Sequence, residues 1–262
     1  MQKIWQPKQW ERIIARASKR RPIPIEMVEF RHKWDTDSKP AILVDAFRQE
    51  YVVKALQIGH SHIHRVIVSE QIVGHIGIQI GAAVGVPVLI HVPQSLIDMN
   101  PSLQEPYSFR PGTAHGSVRL PDCTDRGNFG QFESPENRFR SAMLAVLYGL
   151  LGCFADHQVI YEKQPPNRVY SVDHGHFFSG GPLWTTDTLR DTPLVEVDAT
   201  ITQQCGLTEQ DIMTARCSLQ ALQNKHIAYA IAMPPDEWQF PITERGEMAY
   251  YIANRRDQLL AH

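Results

Sequence analysis

One stretch constrains the fold more than any other. Residues Arg138 to Cys153 read RFRSAMLAVLYGLLGC, and apolar side chains cover nearly every face of the helix that this spacing predicts. Such a helix must be surrounded by other elements, so the chain needs a core large enough to enclose it. With 262 residues, 43% of them hydrophobic, there is material for one large domain or two lobes sharing a cleft.

The segments on either side differ in character. Met1 to Arg21 reads as an amphipathic helix with Ile4, Trp5, Trp10, Ile13 and Ile14 as anchors, stopped by Pro22 and Pro24. Met27 to Lys33 predicts a strand, Trp34 to Pro40 a turn, and Ala41 to Ala46 with Gln49 to Leu56 a hairpin, so this third opens with a small antiparallel sheet. Val66 to Ala83 has helical spacing, with Gly85 placed just past its end, and strands follow at Val86 to Val92 and Ala114 to Leu120. Asp122 to Glu136 reads as a linker. After the central helix, Phe154 to Tyr161 becomes a strand, Pro165-Pro166-Asn167 turns, and Val169 to Asp173 returns. From Leu183 onward the pattern is mainly helical, with a capping signature at Thr208 to Asp211 opening a helical stretch over 207–232 and a final helix at Glu244 to Leu260. The order predicts an α+β chain with a β-rich N-terminal lobe over 1–120, containing one helix, and a mainly helical C-terminal lobe over 121–262. A cleft between two lobes is a common seat for a ligand.

Composition narrows the function. The formal net charge is −2 with 21% charged residues, so no general basic excess points to nucleic acid. Lys19-Arg20-Arg21 and Arg255-Arg256 read as solvated faces. The four cysteines form no C-x-x-C pair and fit free thiols in a reducing, cytoplasmic setting. The N-terminus has no apolar run of a signal peptide, and the stretch Gln71 to Val92 is too interrupted to span a bilayer.

Four positions carry chemistry. Lys54 ends a strand in YVVK, Glu70 lies early in the following helix, Asp156 follows the central helix, and Asp173 ends a strand in SVDHG. Phosphoryl transfer needs such a set: a lysine for the phosphates, a carboxylate to hold it, acidic oxygens for Mg²⁺, and a carboxylate near the attacking hydroxyl. Read singly, each has a plainer explanation, such as a solvent-facing lysine or a helix-start carboxylate. Asp173 is the strongest, because a carboxylate at the end of a buried strand needs a partner.

Together, YVVKAL, VSEQIVGHIGIQIGAAVGVPV, FADHQVIY and SVDHGHFF resemble the HipA-like branch of the protein-kinase-like fold, from about Met27 to Trp184. The resemblance implies a bilobal kinase-like fold that uses ATP and Mg²⁺. It implies that Lys54 contacts the α- and β-phosphates, Glu70 pairs with Lys54, Asp156 is the catalytic aspartate and Asp173 the main metal ligand. Gln158 stands where such kinases place an asparagine and is the second candidate metal ligand. The turn at 35–39 lacks the family's glycines, so Ser38, Lys39 and backbone N–H groups are the candidates to cover the phosphates in part. Histidine replaces the usual phenylalanine in Asp173-His174-Gly175. The implied acceptor is a protein hydroxyl, a small molecule or the protein itself. The separate N-terminal domain of HipA proper is not expected, so a toxin role does not transfer.

Two other readings compete. His60, His62 and His64 alternate, and His157, His174 and His176 flank the key aspartates, which suits a metal-dependent hydrolase, although no H-E-x-x-H spacing is present. The missing glycines and asparagine suit a protein that binds ATP, or a partner, without catalysis; Tyr161, Phe177, Phe178 and Trp184 are the aromatics for a partner surface. Asp125-Arg126-Gly127-Asn128 imitates a catalytic loop but precedes the central helix and reads as a surface turn.

Overall fold

The computed structural model describes residues 5–120, 122–125, 127–153, 157–193 and 196–261. Strands β1 (Ile25–Lys33), β2 (Ala41–Asp45), β3 (Glu50–Lys54), β4 (Pro87–Val92) and β5 (Gly112–Val118) close into a barrel in the order β1-β2-β3-β5-β4. The expected antiparallel sheet is therefore a closed barrel. Its closing seam is parallel, with Ile25 opposite Ile90 and Glu26 opposite His91. The predicted β2–β3 hairpin is present, and Asp45 shapes its turn by accepting from the backbone N–H groups of Phe47 (2.8 Å) and Gln49 (2.9 Å). Met27, Leu43, Val53 and Ile90 fill the interior. Gly116 makes room for Ile90, since a Cβ there would lie 2.3 Å from its Cγ1.

Helix α2 (Ile63–Ile80) connects β3 to β4. It ends at Gly81, with φ +79° and its N–H bonded to Gly77 and Ile78 carbonyls, not near Gly85 as expected. Gly74 and Gly77 stay within the helix, and Gly81 takes the left-handed cap that stops it. A short helix, α3 (Gln94–Met99), precedes β5.

The apolar helix is α4 (Pro135–Leu151), which starts earlier than its hydrophobic pattern because Ser134 caps it, accepting from the Asn137 N–H at 3.1 Å. Ala142 through Leu151 are buried, as the all-round apolar pattern requires. Beside it lies a three-stranded sheet of β6 (Cys123–Thr124), β7 (Val159–Glu162) and β8 (Val169–Ser171). The expected linker over 122–136 thus contains a strand, made by pairing Cys123 and Thr124 with Glu162 and Tyr161. A parallel bridge from Val84 to Ser171, closed by the Ser171 N–H to Ala83 carbonyl bond at 2.8 Å, joins the end of α2 to β8.

The remainder is helical: α5 (Thr186–Arg190), α6 (Ala199–Gln204), α7 (Glu209–Cys217), α8 (Asn224–Ala232) and α9 (Ile242–Ala261). The Thr208–Asp211 capping box is present, but the stretch 207–232 breaks into α7, a 3-10 turn and α8. Helix α1 (Pro7–Ser18), within the residues assigned to the β-rich half, packs against α8 and α9 and buries Trp10 and Ile14 there. Burying those two side chains decides its place. Two hydrophobic clusters result, one inside the barrel and one around α4 that includes α2.

Candidate functional site

A cavity of about 290 Å³ lies against the barrel, lined by Val52, Lys54, Pro87 and Ser117 from its strands and by Gln158, Ile160, Val172 and Asp173 from the small sheet. Lys54 is the last residue of β3, paired in register with His115 on β5. Its amine donates to Glu70 on α2 and, at 2.5 Å, to Asp173 just past β8. Three residues far apart in sequence therefore meet at one cation. Burial alone would lower the Lys54 pKa, but the Glu70 and Asp173 carboxylates outweigh it and raise the value. Burial likewise opposes ionised Glu70, yet the Lys54 charge and the His174 hydrogen bond hold its carboxyl well below the ordinary range. The Asp173 side chain is 41% exposed, against 6% for Glu70, so it is the wetter carboxylate. Asp173 takes φ +59°, ψ +62°, a left-handed conformation in which aspartate is tolerated at a cost of order 1 kcal/mol.

Glu70 is fixed from several sides. His174 Nδ1 lies 3.5 Å from its second oxygen, and His174 Nε2 lies 3.1 Å from the Ser171 hydroxyl, which pairs with the Tyr148 hydroxyl at 2.7 Å. Histidine at the position after Asp173 thus serves as a polar brace for the carboxylate. Helix α2 is tied to the helical core by an Arg65–Glu244 ion pair and by Trp184 Nε1 donating to Ser69 Oγ at 3.1 Å. Gly175 lets the 173–175 segment approach α2, because a Cβ there would meet Val66 Cγ1 at 2.6 Å. On the other side His115, which burial pushes down to about 3, bonds Gln71, and Gln71 bonds His75, pushed down to about 4 for the same reason.

The sequence-derived residues are placed unevenly. Lys54, Glu70 and Asp173 converge. Gln158 lines the same cavity directly before β7, and its carbonyl receives the Val172 N–H at 3.1 Å. Asp156 lies outside the described residues. Ser38 and Lys39 do not line the cavity; Trp34, Thr36 and Pro40 do. Ser38 is 8% exposed, and the Lys39 amine donates to Asp35 at 2.5 Å, so the phosphate-covering role expected of these two side chains has no support in their placement. Lys39 itself takes a left-handed φ of +46°.

Among the described residues the histidines form no metal site. His60 precedes α2, His62 caps it and His64 lies within it, so the three do not share a strand face. His157 Nε2 pairs with Asp198 at 2.8 Å and its ring stacks on Tyr148 at 5.0 Å. Among the described residues, no three His, Cys, Asp or Glu side chains group as ligands. Asp125 and Asn128 do not line the cavity, and the Asn128 carbonyl accepts from Tyr161. Tyr161, Phe177, Phe178 and Trp184 are all at most 1% exposed and belong to the core. His115, Ser171 and Asp198 were missed by the sequence reading. His115 and Ser171 appear there only as residues of strand-like runs, with no role attached.

No family model matches the sequence, and no curated protein matches it. Among solved structures, a Helicobacter pylori proinflammatory kinase, CtkA, is similar with a TM-score of 0.60 at 12% identity, over 91% of this chain and 96% of that one. The Golgi casein kinase matches with a TM-score of 0.47 at 11% identity, over 98% of this chain and 77% of that chain. The chain has an α+β, protein-kinase-like fold. Among the described residues no helix is long and apolar enough to cross a membrane.

Proposed function

We propose that the protein is a cytoplasmic kinase that transfers the γ-phosphoryl group of ATP in a Mg²⁺-dependent reaction, as its motif resemblance to the HipA-like kinases implies. The observation that carries this is the Lys54 amine held between Glu70 and Asp173 on the wall of one cavity. The apolar side chains of Val52 and Ile160 suit the two faces of an adenine, and Lys54 suits the α- and β-phosphates. Asp173 and Gln158 offer the oxygen donors that a hard divalent cation takes, and they fit the role. When bound, that ion neutralises charge on the phosphates. Asp156 accepts the proton of an incoming hydroxyl as its oxygen bonds to the γ-phosphorus and the bond to ADP breaks. A protein hydroxyl, including one of this chain, is the favoured acceptor.

Calorimetry with ATP, with and without Mg²⁺, on wild type and Lys54→Ala tests the reading. Metal-dependent binding that weakens at least about tenfold in the variant is expected, a loss of about 1.4 kcal/mol or more. No binding to the wild type overturns it. A binding-only protein is the second reading, favoured by the engagement of Ser38 and Lys39 away from the cavity. ATP binding without any phosphate transfer would select it.

A further inference from the structure

The near-neutral total charge hides one local excess. Residues 7–21 hold six bases, Lys8, Arg12, Arg16, Lys19, Arg20 and Arg21, against a single acid, Glu11. Along α1 and its end, positions 8, 12, 16 and 19 recur at three or four residues and so share one face. Lys8, Arg12, Arg16, Lys19 and Arg20 are exposed, and among the described residues none of the five has an acidic partner at ion-pair distance. Trp10 and Ile14 already bury the opposite face against α8 and α9.

This face runs into a groove of about 880 Å³ lined by Lys19, Arg21 and Arg245 together with Phe240, Pro241 and Ile242. Arg21 and Arg245 share one oxygen of Asp236, at 3.1 and 3.3 Å. Arg245 is 2% exposed while the Asp236 carboxylate is 88% exposed, so two guanidinium groups, one of them buried, face a single, solvent-weakened counterion. No residue of this groove lines the cavity holding Lys54.

We propose that this groove and the basic face of α1 dock an extended acidic peptide segment of a partner protein. Its carboxylates lie along Arg12, Arg16 and Lys19, and one apolar side chain packs on Pro241 and Ile242, both exposed. The stripe from position 8 to 19 is about 17 Å long, which about five extended residues cover. A nucleic acid fits less well, because its backbone would meet the Asp236 carboxylate and an apolar wall. A membrane fits less well because the apolar side of α1 is already buried.

Fluorescence anisotropy tests this with a labelled peptide of about ten residues, Asp and Glu around a central Leu, titrated without nucleotide. The outcome is thus independent of the phosphotransfer reading. The acidic peptide binds, rising salt weakens it, and the same peptide with amides in place of acids binds about tenfold or more weakly. The variant R12E/R16E/K19E, with an unchanged thermal melt, loses the acidic peptide, and Ile242→Ser weakens it several-fold at any salt. An unchanged affinity for the amide peptide overturns the proposal whether or not the triple variant folds. So does wild-type affinity in the folded triple variant, or tighter binding of single-stranded RNA or phosphatidylserine vesicles than of the peptide.

Discussion

The Lys54 amine donates to the carboxylate of Glu70, sixteen residues further along the chain, with side chains only 7% and 6% exposed. A buried pair is worth little over an apolar replacement, but breaking one partner strands the other charge. Lys54→Met should cost about 3–5 kcal/mol in urea denaturation by leaving Glu70 unpaired in the core. Lys54→Met with Glu70→Gln should regain a measurable part of that loss while still binding no ATP. A double variant no more stable than the single one would mean that the pair is not coupled.

Asp173 and Asp156 should separate binding from chemistry. Asp173 touches Lys54 and shares the cavity with Gln158, so Asp173→Asn removes metal-dependent ATP binding. Asp156→Asn should leave the calorimetric isotherm within about twofold of wild type and reduce phosphate transfer at least about a hundredfold, as expected for loss of a general base. Equal loss of binding in both variants would overturn the division of roles.

Gly175 controls how closely the Asp173 segment sits on α2. An added methyl at 2.6 Å from Val66 Cγ1 must push the helix or the loop, at about 1–3 kcal/mol. Because Glu70 rides on α2 about one turn beyond Val66, Gly175→Ala should weaken ATP binding more than an equally destabilising change elsewhere in the core. Adding Val66→Ala should restore part of the affinity. No recovery would point to backbone conformation at residue 175 as the cause.

The chemistry of the site was legible because each piece has a local signature: a strand-end lysine, a carboxylate on the next helix, an aspartate after a buried strand. What closes the structure was not. The Ile25–Ile90 seam of the barrel joins strands that a hairpin, a helix and three loops separate, and nothing in IEMVEF announces a parallel partner. The two residues of β6 form a strand only because β7 lies beside them. Both Gly81 and Gly85 had the chemistry to end α2, and only the position where the chain must turn decided between them. The turn at Lys39 takes a positive φ that no residue preference encodes strongly.

His157 and Asp198 form the tie next to Asp156. Asp198 also caps α6, with Oδ1 accepting from the Ile201 N–H at 2.8 Å while Oδ2 holds His157. Asp198→Ala should cost about 1–2 kcal/mol from the cap and more from the stranded imidazole. His157→Phe keeps the stack on Tyr148 and removes only the polar tie. It should lower the rate of transfer with little change in ATP affinity; a rate equal to wild type would leave the tie purely structural.

Acid should weaken the fold through the buried histidines before the carboxylates respond. Burial pushes His115 to about 3 and His75 to about 4 from an ordinary 6.5, so both are neutral when folded and take up a proton on unfolding. The unfolded chain then binds more protons, and stability falls as pH drops below 6.5, by up to about 1.4 kcal/mol per pH unit for each histidine. The part from His75 is smaller, since that side chain is only half-buried. Glu70, Lys54 and His174 also face His115, but the depressed Glu70 carboxyl adds its own loss only below its ordinary range near about 4.3. Urea denaturation at pH 7 and at pH 5 should therefore show a loss that His115→Gln with His75→Asn largely removes. A slope unchanged in that double variant would place the acid sensitivity elsewhere in the molecule.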